Sequence, residues 1–549
     1  METNNRFRFT PIIISVSIVL GIIIGACYTR HSEGGKLGII GEPSNKLTTL
    51  LRIIEEQYVD TPDISGLIEK TMPAVLAELD PHSQYIPAKE QSEAQEKLVG
   101  SFSGIGIQFT IRNDSLNVMK IVKGGPSEKV GLLSGDRIIA IDDSAFVGDA
   151  ATNENAMKKL KGPKGSPVKL TVYRPSVKSE YDFTVNRGDV PITSIDACYM
   201  ITDDIGYIKI NTFSLTTYEE MLGSIVSLKY KGCKSLIIDL RGNLGGIMEI
   251  AIQMINEFLP QNKLITYTKG RKMPMQQYYS DGNGTCQDIP VAVLIDEASA
   301  SASEIFAGAI QDNDRGSIIG RRSFGKGLVQ QPIDFRDGSS VRLTVARYYT
   351  PSGRCVQKPY SDGHDESYEL DIYNRFEHGE FFSKDSIKVD ETEKYTTSIG
   401  RTVYGGGGII PDYFIAEDTT GITSYFTAVN NSGLIAAYSF EFADRYRKEF
   451  KEMKDIDEAV RFINSKNAVE DFIRFAERHN VKRRNLLIRK SYKRLERTVT
   501  ANIIYDAFDM NEFVQYINRK DNIVNAAIEV IESGKVYPQR PEQEQSTGE

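Results

Sequence analysis

Histidine and cysteine are scarce in this sequence, five of each among 549 residues. Apart from Cys27, the cysteines Cys198, Cys233, Cys286 and Cys355 are too scattered to suggest a zinc-ligand set or a disulfide framework, so redox chemistry is not indicated. An excess of positive charge is also missing. Lys and Arg number 66 against 74 Asp and Glu, and the net charge of −8 offers no general attraction to a phosphate backbone, so nucleic acid is not an expected partner. With 40% apolar and 26% charged residues, most of the chain is expected to fold in water rather than in lipid. Its length exceeds what one hydrophobic core fills, which predicts two to four domains of roughly 100–200 residues each.

Long apolar runs are limited to one, residues 11–26 (PIIISVSIVLGIIIGA), preceded by Arg6 and Arg8 and followed by Thr29, Arg30 and His31. Its length lies between a signal-peptide core and a full membrane span, and the flanking charges predict an N-terminus kept in the cytoplasm with the remainder exported. Ile24-Gly25-Ala26-Cys27 resembles the bacterial lipobox, which would make Cys27 a lipidation site; an uncleaved helical anchor is the alternative.

Beyond the anchor, apolar residues recur at helical spacing from Leu47 to Leu98. From Gly100 the texture changes to short alternating strands with glycine turns, including 137–141 and 168–173, interrupted by two short helical stretches. Residues 206–319 then alternate strand and helix, a pattern that predicts parallel strands with crossover helices and functional residues in loops beyond the strand ends. Residues 358–400, rich in Tyr, Asp, Glu and Ser, read as an insertion, and after Asp412 the chain turns helical.

One strand-to-helix junction carries the chemistry, Ser299-Ala300-Ser301-Ala302-Ser303-Glu304. Small residues there let a hydroxyl stand exposed beside the free N–H groups of a helix start, so Ser301 is placed like a nucleophile. Serine needs a base, and the histidines give little support for a Ser-His-Asp triad: His31 adjoins the anchor, His82 follows the Asp80-Pro81 turn, His364 and His378 lie in the insertion, and His479 is among the C-terminal helices. A lysine can do the same work if it is desolvated, because burial lowers the pKa of its ammonium.

Ser299 to Glu304, followed by Phe324-Gly325-Lys326-Gly327-Leu328-Val329-Gln330, resembles the signature of the C-terminal processing peptidases, or tail-specific proteases. The resemblance implies Ser301 as nucleophile, Lys326 as base and Gln330 as the residue that orients the lysine; an even separation places Lys326 and Gln330 on one face of a strand. Asp239-Leu240-Arg241-Gly242-Asn243-Leu244-Gly245-Gly246 resembles the family's oxyanion loop, implying amides from Gly245 and Ala302, with Leu244 where a proline is common. Residues 100–187 resemble a PDZ domain in which Phe102, Gly104, Ile105 and Gly106 belong to the carboxylate-binding loop. Tyr58-Val59-Asp60, Leu79-Asp80-Pro81-His82-Ser83 and Gly405 to Asp412 extend the likeness to about 370 residues.

The implied fold is multi-domain α/β and α+β: a ClpP/crotonase-like peptidase core with an inserted PDZ-like domain and helical N-terminal and C-terminal regions. On this basis the chain divides into a signal, anchor or lipoprotein segment (1–30), an N-terminal helical domain (31–98), a PDZ-like domain (99–188) and a Ser/Lys peptidase core (189–416). A C-terminal helical domain (417–534) and a disordered tail (535–549) follow. The implied activity is serine endopeptidase cleavage of exported proteins near apolar C-termini, on the periplasmic side of a bacterial cell envelope, with no metal or organic cofactor. The basic stretch 482–497 reads as a solvated helix face, with a homo-oligomer or adaptor contact through these helices left open. Two rival readings are a Ser323-x-x-Lys326 nucleophile, against which Gly325 and Gly327 speak, and a non-catalytic PDZ-type envelope adaptor.

Overall fold

The computed structural model describes residues 46–540 apart from 113, 362, 364 and 365, together with Val19. Cys27 and, Val19 excepted, the apolar run 11–26 lie outside the described residues, as do His31, His364 and the tail beyond 540. Among the described residues no helix is long and apolar enough to cross a membrane. The chain divides into two compact units, 1–72 and 73–549. In the first, helix Lys46–Gln57 is described in full, and helix Ile64–Ala77 begins.

The second unit is organised around a six-stranded sheet ordered Ile195–Met200, Ile205–Ile210, Ser235–Asp239, Val291–Ile295, Ser317–Gly320, Tyr413–Phe414. Its first pair is antiparallel and the rest are parallel. Strands Ser235–Asp239 and Val291–Ile295 are buried at every residue, as expected when both faces of a parallel sheet are covered. Successive side chains point to opposite faces. Leu236, Ile238, Val291, Val293 and Ile295 join a core with helices Thr217–Tyr230, Met248–Asn256 and Ala302–Asp312. Ile237, Ala292 and Leu294 pack on the other side against Val524, Ala527 and Val530 of helix Asn522–Glu532.

That last contact corrects the expected C-terminal boundary. Only residues 424–507 form a core of their own, around Tyr438, Phe442, Phe472 and Val499, whereas the final helix caps the peptidase sheet. Nor does disorder begin at Lys535: Val536 is buried, and its carbonyl accepts a 2.8 Å hydrogen bond from Ser317 Oγ. Two adjacent apolar residues, Val536 and Tyr537, in a polar tail give no periodicity to read.

A second, antiparallel sheet joins Gln84–Ile86, Ser340–Tyr349, Leu264–Lys269 and Gln276–Tyr279, with Leu328–Asp334 also paired to Ser340–Tyr349. Residues 84–86, expected within an N-terminal helical domain, are therefore a strand of the catalytic region, with Tyr85 opposite Val341. The PDZ module is a sheet ordered Ile107–Arg112, Ser115–Ile121, Arg137–Ile141, Pro167–Arg174, Ser179–Asn186 with helices Pro126–Val130 and Asn153–Leu160. An antiparallel pair, Ser101–Gly104 with Gly188–Pro191, brings the chain in and out of it. Its outer face meets the C-terminal helices: Arg112 donates to the Ala437 carbonyl at 2.7 Å and pairs with Glu441, and Lys120 Nζ lies 4.0 Å from the centre of the Tyr505 ring.

Candidate active site

Strand Val291–Ile295 ends in the turn 296–300, and Ser301 precedes helix Ala302–Asp312 with φ 55 and ψ −114. A non-glycine residue held at positive φ costs on the order of 1–3 kcal/mol, so the surroundings must impose it. They do so through Glu304, a fully buried carboxylate whose Oε2 accepts the Ser301 amide at 2.9 Å. Oε2 also accepts the Lys326 amide at 2.8 Å, and Oε1 accepts the Gly325 amide at 2.7 Å and the Ser323 hydroxyl at 2.6 Å. Burial pushes the Glu304 carboxyl up to about 7, against the pull of these four donors. On the carbonyl side, the Tyr348 hydroxyl is 3.1 Å from Ser301 O and also contacts Lys326 O. The backbones of residues 301 and 326 are thus held side by side from both edges.

Lys326 precedes strand Leu328–Asp334 rather than lying in it, and the pairing register shifts between Val329 and Gln330. The even-spacing argument therefore does not explain why the two side chains meet, yet Lys326 Nζ lies 3.2 Å from Gln330 Oε1. Burial, reinforced by the Arg342 guanidinium, lowers the Lys326 pKa; Glu304 and Asp80 act in the opposite sense.

The glycine turn reaches the same point. Asp239, at the end of its strand, accepts from Tyr207 at 2.6 Å and is paired with Arg241 and Lys209. Burial favours its neutral form, but these two cations hold it below the ordinary carboxylate range. Buried Asn243 stitches the turn to the serine loop: its carbonyl accepts Ala300 N at 3.0 Å and Ser303 Oγ at 2.9 Å. A Cβ on Gly245, whose φ is +100°, would stand 2.7 Å from Ala300 O and 2.8 Å from Ser301 Cβ, so only glycine fits against the serine. The Gly245 amide donates to Asn243 Oδ1 at 2.8 Å, whereas the Ala302 amide has no acceptor among the described residues.

Several residues did not stand out in the sequence as parts of this site. Glu304 was visible only as the last letter of the serine motif. His82, set aside with the other histidines, lies here: its carbonyl accepts from Gln330 Nε2, and its ring Nε2 is 2.6 Å from the Tyr368 hydroxyl. Burial, then Lys326, lowers its pKa to about 4, so the imidazole is neutral near pH 7. Ser323, the rival nucleophile, is fully buried and spent, donating to Glu304 and accepting from Ile409 N at 2.6 Å; Gly325 at φ +91° breaks the helix that S-x-x-K requires.

Of the residues expected in the PDZ binding loop, Ile105 and Gly106 lie between strands and the other two within one. Phe102 and Gly104 are strand residues paired with Val190 and Gly188, and the Ile105 side chain is in the module's core. Among the described residues the amides of Ile105 and Gly106 have no acceptor, and they lead into Ile107–Arg112, the edge strand of its sheet.

A serine at a strained strand-to-helix junction, a lysine of lowered pKa whose backbone amide is held by the same buried carboxylate, and a PDZ module are the features of a serine-type peptidase. Residues 204–364 match the model of peptidase family S41, residues 103–185 that of the PDZ domain, and residues 425–509 that of a family of unknown function, DUF8443. The chain is 36% identical over 309 residues to a carboxy-terminal-processing protease of Bartonella bacilliformis, covering 55% of this chain and 70% of the relative. It is 30% identical over 349 residues to the carboxy-terminal processing protease CtpB of Bacillus subtilis, covering 63% and 72%. A solved photosystem II D1 C-terminal processing protease is 26% identical, covering 56% of this chain and 89% of that one, with a TM-score of 0.32. The chain belongs to peptidase family S41, that of the carboxy-terminal-processing proteases.

Proposed function

We propose that this peptidase cleaves exported proteins near apolar C-termini by a Ser301/Lys326 dyad. Neutral Lys326 takes the Ser301 proton as Oγ bonds to the scissile carbonyl carbon, and the amides of Ala302 and Gly245 hold the oxyanion. As the C–N bond breaks, the lysine gives its proton to the leaving amine; water, deprotonated by the same lysine, then adds to the acyl carbon, and as the C–Oγ bond breaks the lysine returns that proton to Oγ. Use of the Gly245 amide requires its release from Asn243. The observation that carries this reading is the shared carboxylate: Glu304 Oε2 accepts both the Ser301 and the Lys326 amide, so nucleophile and base are registered by one atom.

The PDZ module supports tail capture. The free amides of Ile105 and Gly106 suit a terminal carboxylate, and the edge strand Ile107–Arg112 suits an added peptide strand. The apolar run before Cys27 supports a location on the periplasmic side of a bacterial envelope, as a lipoprotein or through a helical anchor.

The test is cleavage of peptides with apolar C-termini by the full chain and by Ser301→Ala, Lys326→Ala and Lys326→Arg. All three variants are expected to fold and to be inactive, because arginine keeps its proton. An active Lys326→Arg enzyme would overturn the base assignment.

A further inference from the structure

The family S41 match begins at residue 204, yet the dyad's neighbourhood is completed by a turn more than one hundred residues earlier. Asp80 is buried, and its carboxylate organises that turn. Oδ1 accepts from His82 N at 2.8 Å, Ser83 N at 2.9 Å and Thr344 Oγ1 at 3.0 Å; Oδ2 accepts from Ser83 Oγ at 2.6 Å. Ser83 Oγ in turn accepts from Thr344 N at 3.0 Å. Thr344 lies directly opposite Gln330 in the strand pair Leu328–Asp334 with Ser340–Tyr349. The turn is therefore fastened to the strand position beside the glutamine.

What this turn presents to Gln330 is the carbonyl of His82. A carbonyl only accepts, so it selects the NH2 end of the side-chain amide and leaves Oε1 facing Lys326 Nζ, 3.2 Å away. A neutral amine has two N–H groups and one lone pair. Engaging one N–H with Oε1 limits where the lone pair points, and a proton acceptor works only when that direction is right. Tyr368, from the insertion, holds the His82 ring at the other side of the same residue.

We propose that Asp80 is a positioning residue for catalysis, acting through the His82 carbonyl and Gln330 to aim the Lys326 lone pair. This rests on Lys326 being the base. The charged and titratable groups facing Lys326 are Arg342 on strand Ser340–Tyr349, Glu304 on the helix after Ser301, and Asp80 and His82 on the turn. Of these, Glu304 and Asp80 stabilise the ammonium form.

Two substitutions separate position from charge. Asp80→Asn keeps an oxygen that accepts the His82 and Ser83 amides and removes the charge; Asp80→Ala removes both. For Asp80→Ala, kcat is expected to fall by about 10²-fold with KM within about threefold, the size of effect that a misplacement of about 1 Å produces. For Asp80→Asn, kcat should stay within about tenfold of the native enzyme while the acidic limb of kcat/KM against pH moves to lower pH. A merely structural role would not confine the loss in Asp80→Ala to kcat. Native kcat in Asp80→Ala would overturn the proposal. A fall in kcat of about 10²-fold in Asp80→Asn, which keeps the oxygen that holds the turn, would do the same, and this variant decides the matter if Asp80→Ala fails to fold. Activity in Lys326→Ala would instead remove the dyad on which the inference stands, so the two failures are distinguishable.

Discussion

Ser301 and Lys326, twenty-five positions apart in the chain, donate their backbone amides to the same oxygen, Glu304 Oε2, at 2.9 and 2.8 Å. The strained backbone at Ser301 and the segment that leads into strand Leu328–Asp334 are both held by this one buried carboxylate.

Glu304→Gln should therefore be far from conservative. A carboxylate only accepts, and four donors converge on this one; glutamine places two N–H groups among them. Each donor left unsatisfied costs about 1–3 kcal/mol. The expected result is a loss of stability of that order in urea unfolding and a fall in kcat/KM of about 10²-fold or more, because both dyad residues lose their register. Native kinetics in this variant would contradict the role given to Glu304.

Arg342 should act on the pH profile in the sense opposite to Asp80. Its guanidinium disfavours the Lys326 ammonium, so Arg342→Met raises the lysine pKa. With Lys326 as the proposed base, activity requires the neutral amine and rises through that pKa, hence the acidic limb is expected to move to higher pH. A kcat/KM titration checks the direction.

Gly245→Ala should abolish turnover while leaving the PDZ module intact. The added Cβ would meet Ala300 O at 2.7 Å, and φ is +100°, so the turn and the serine loop cannot both keep their places. Loss of cleavage with unchanged peptide binding by calorimetry is the expected pair of results.

At the PDZ contact with the C-terminal helices, burial raises the Asp506 pKa to about 7, while Lys120 and Arg447 oppose it. The folded-state value lies above the unfolded one near 3.9. Stability from this group is fully present below about pH 4 and is lost as pH rises through about 7. Asp506→Asn should remove that part of the decline between pH 4 and 8, measured by thermal unfolding; an unchanged slope would show that the carboxyl is not the group responsible.

What was legible in the sequence was what neighbouring residues encode. Strand Val291–Ile295 is a continuous apolar run and Pro167–Arg174 an alternating one, and the glycines and small residues after the central strands mark turns wherever they occur. The remainder depends on partners distant in the chain. Gln84–Ile86 is three residues long and becomes a strand only because Ser340–Tyr349 offers an edge. His82 was discounted for its place after a turn, and only folding brings its carbonyl to Gln330, 248 positions away. Helix Asn522–Glu532 is amphipathic in any context, and its sequence does not say that the apolar face covers the peptidase sheet.

The most direct measurement is the rate at which a serine-directed phosphonate modifies the full-length enzyme as a function of pH, with the adduct located by peptide mass spectrometry. The account predicts an adduct on Ser301 alone, formed at a rate that rises through one pKa below that of an ordinary lysine and falls by at least about 10²-fold in Lys326→Ala. An adduct on Ser323, or labelling of Ser301 that is indifferent to Lys326, would contradict it.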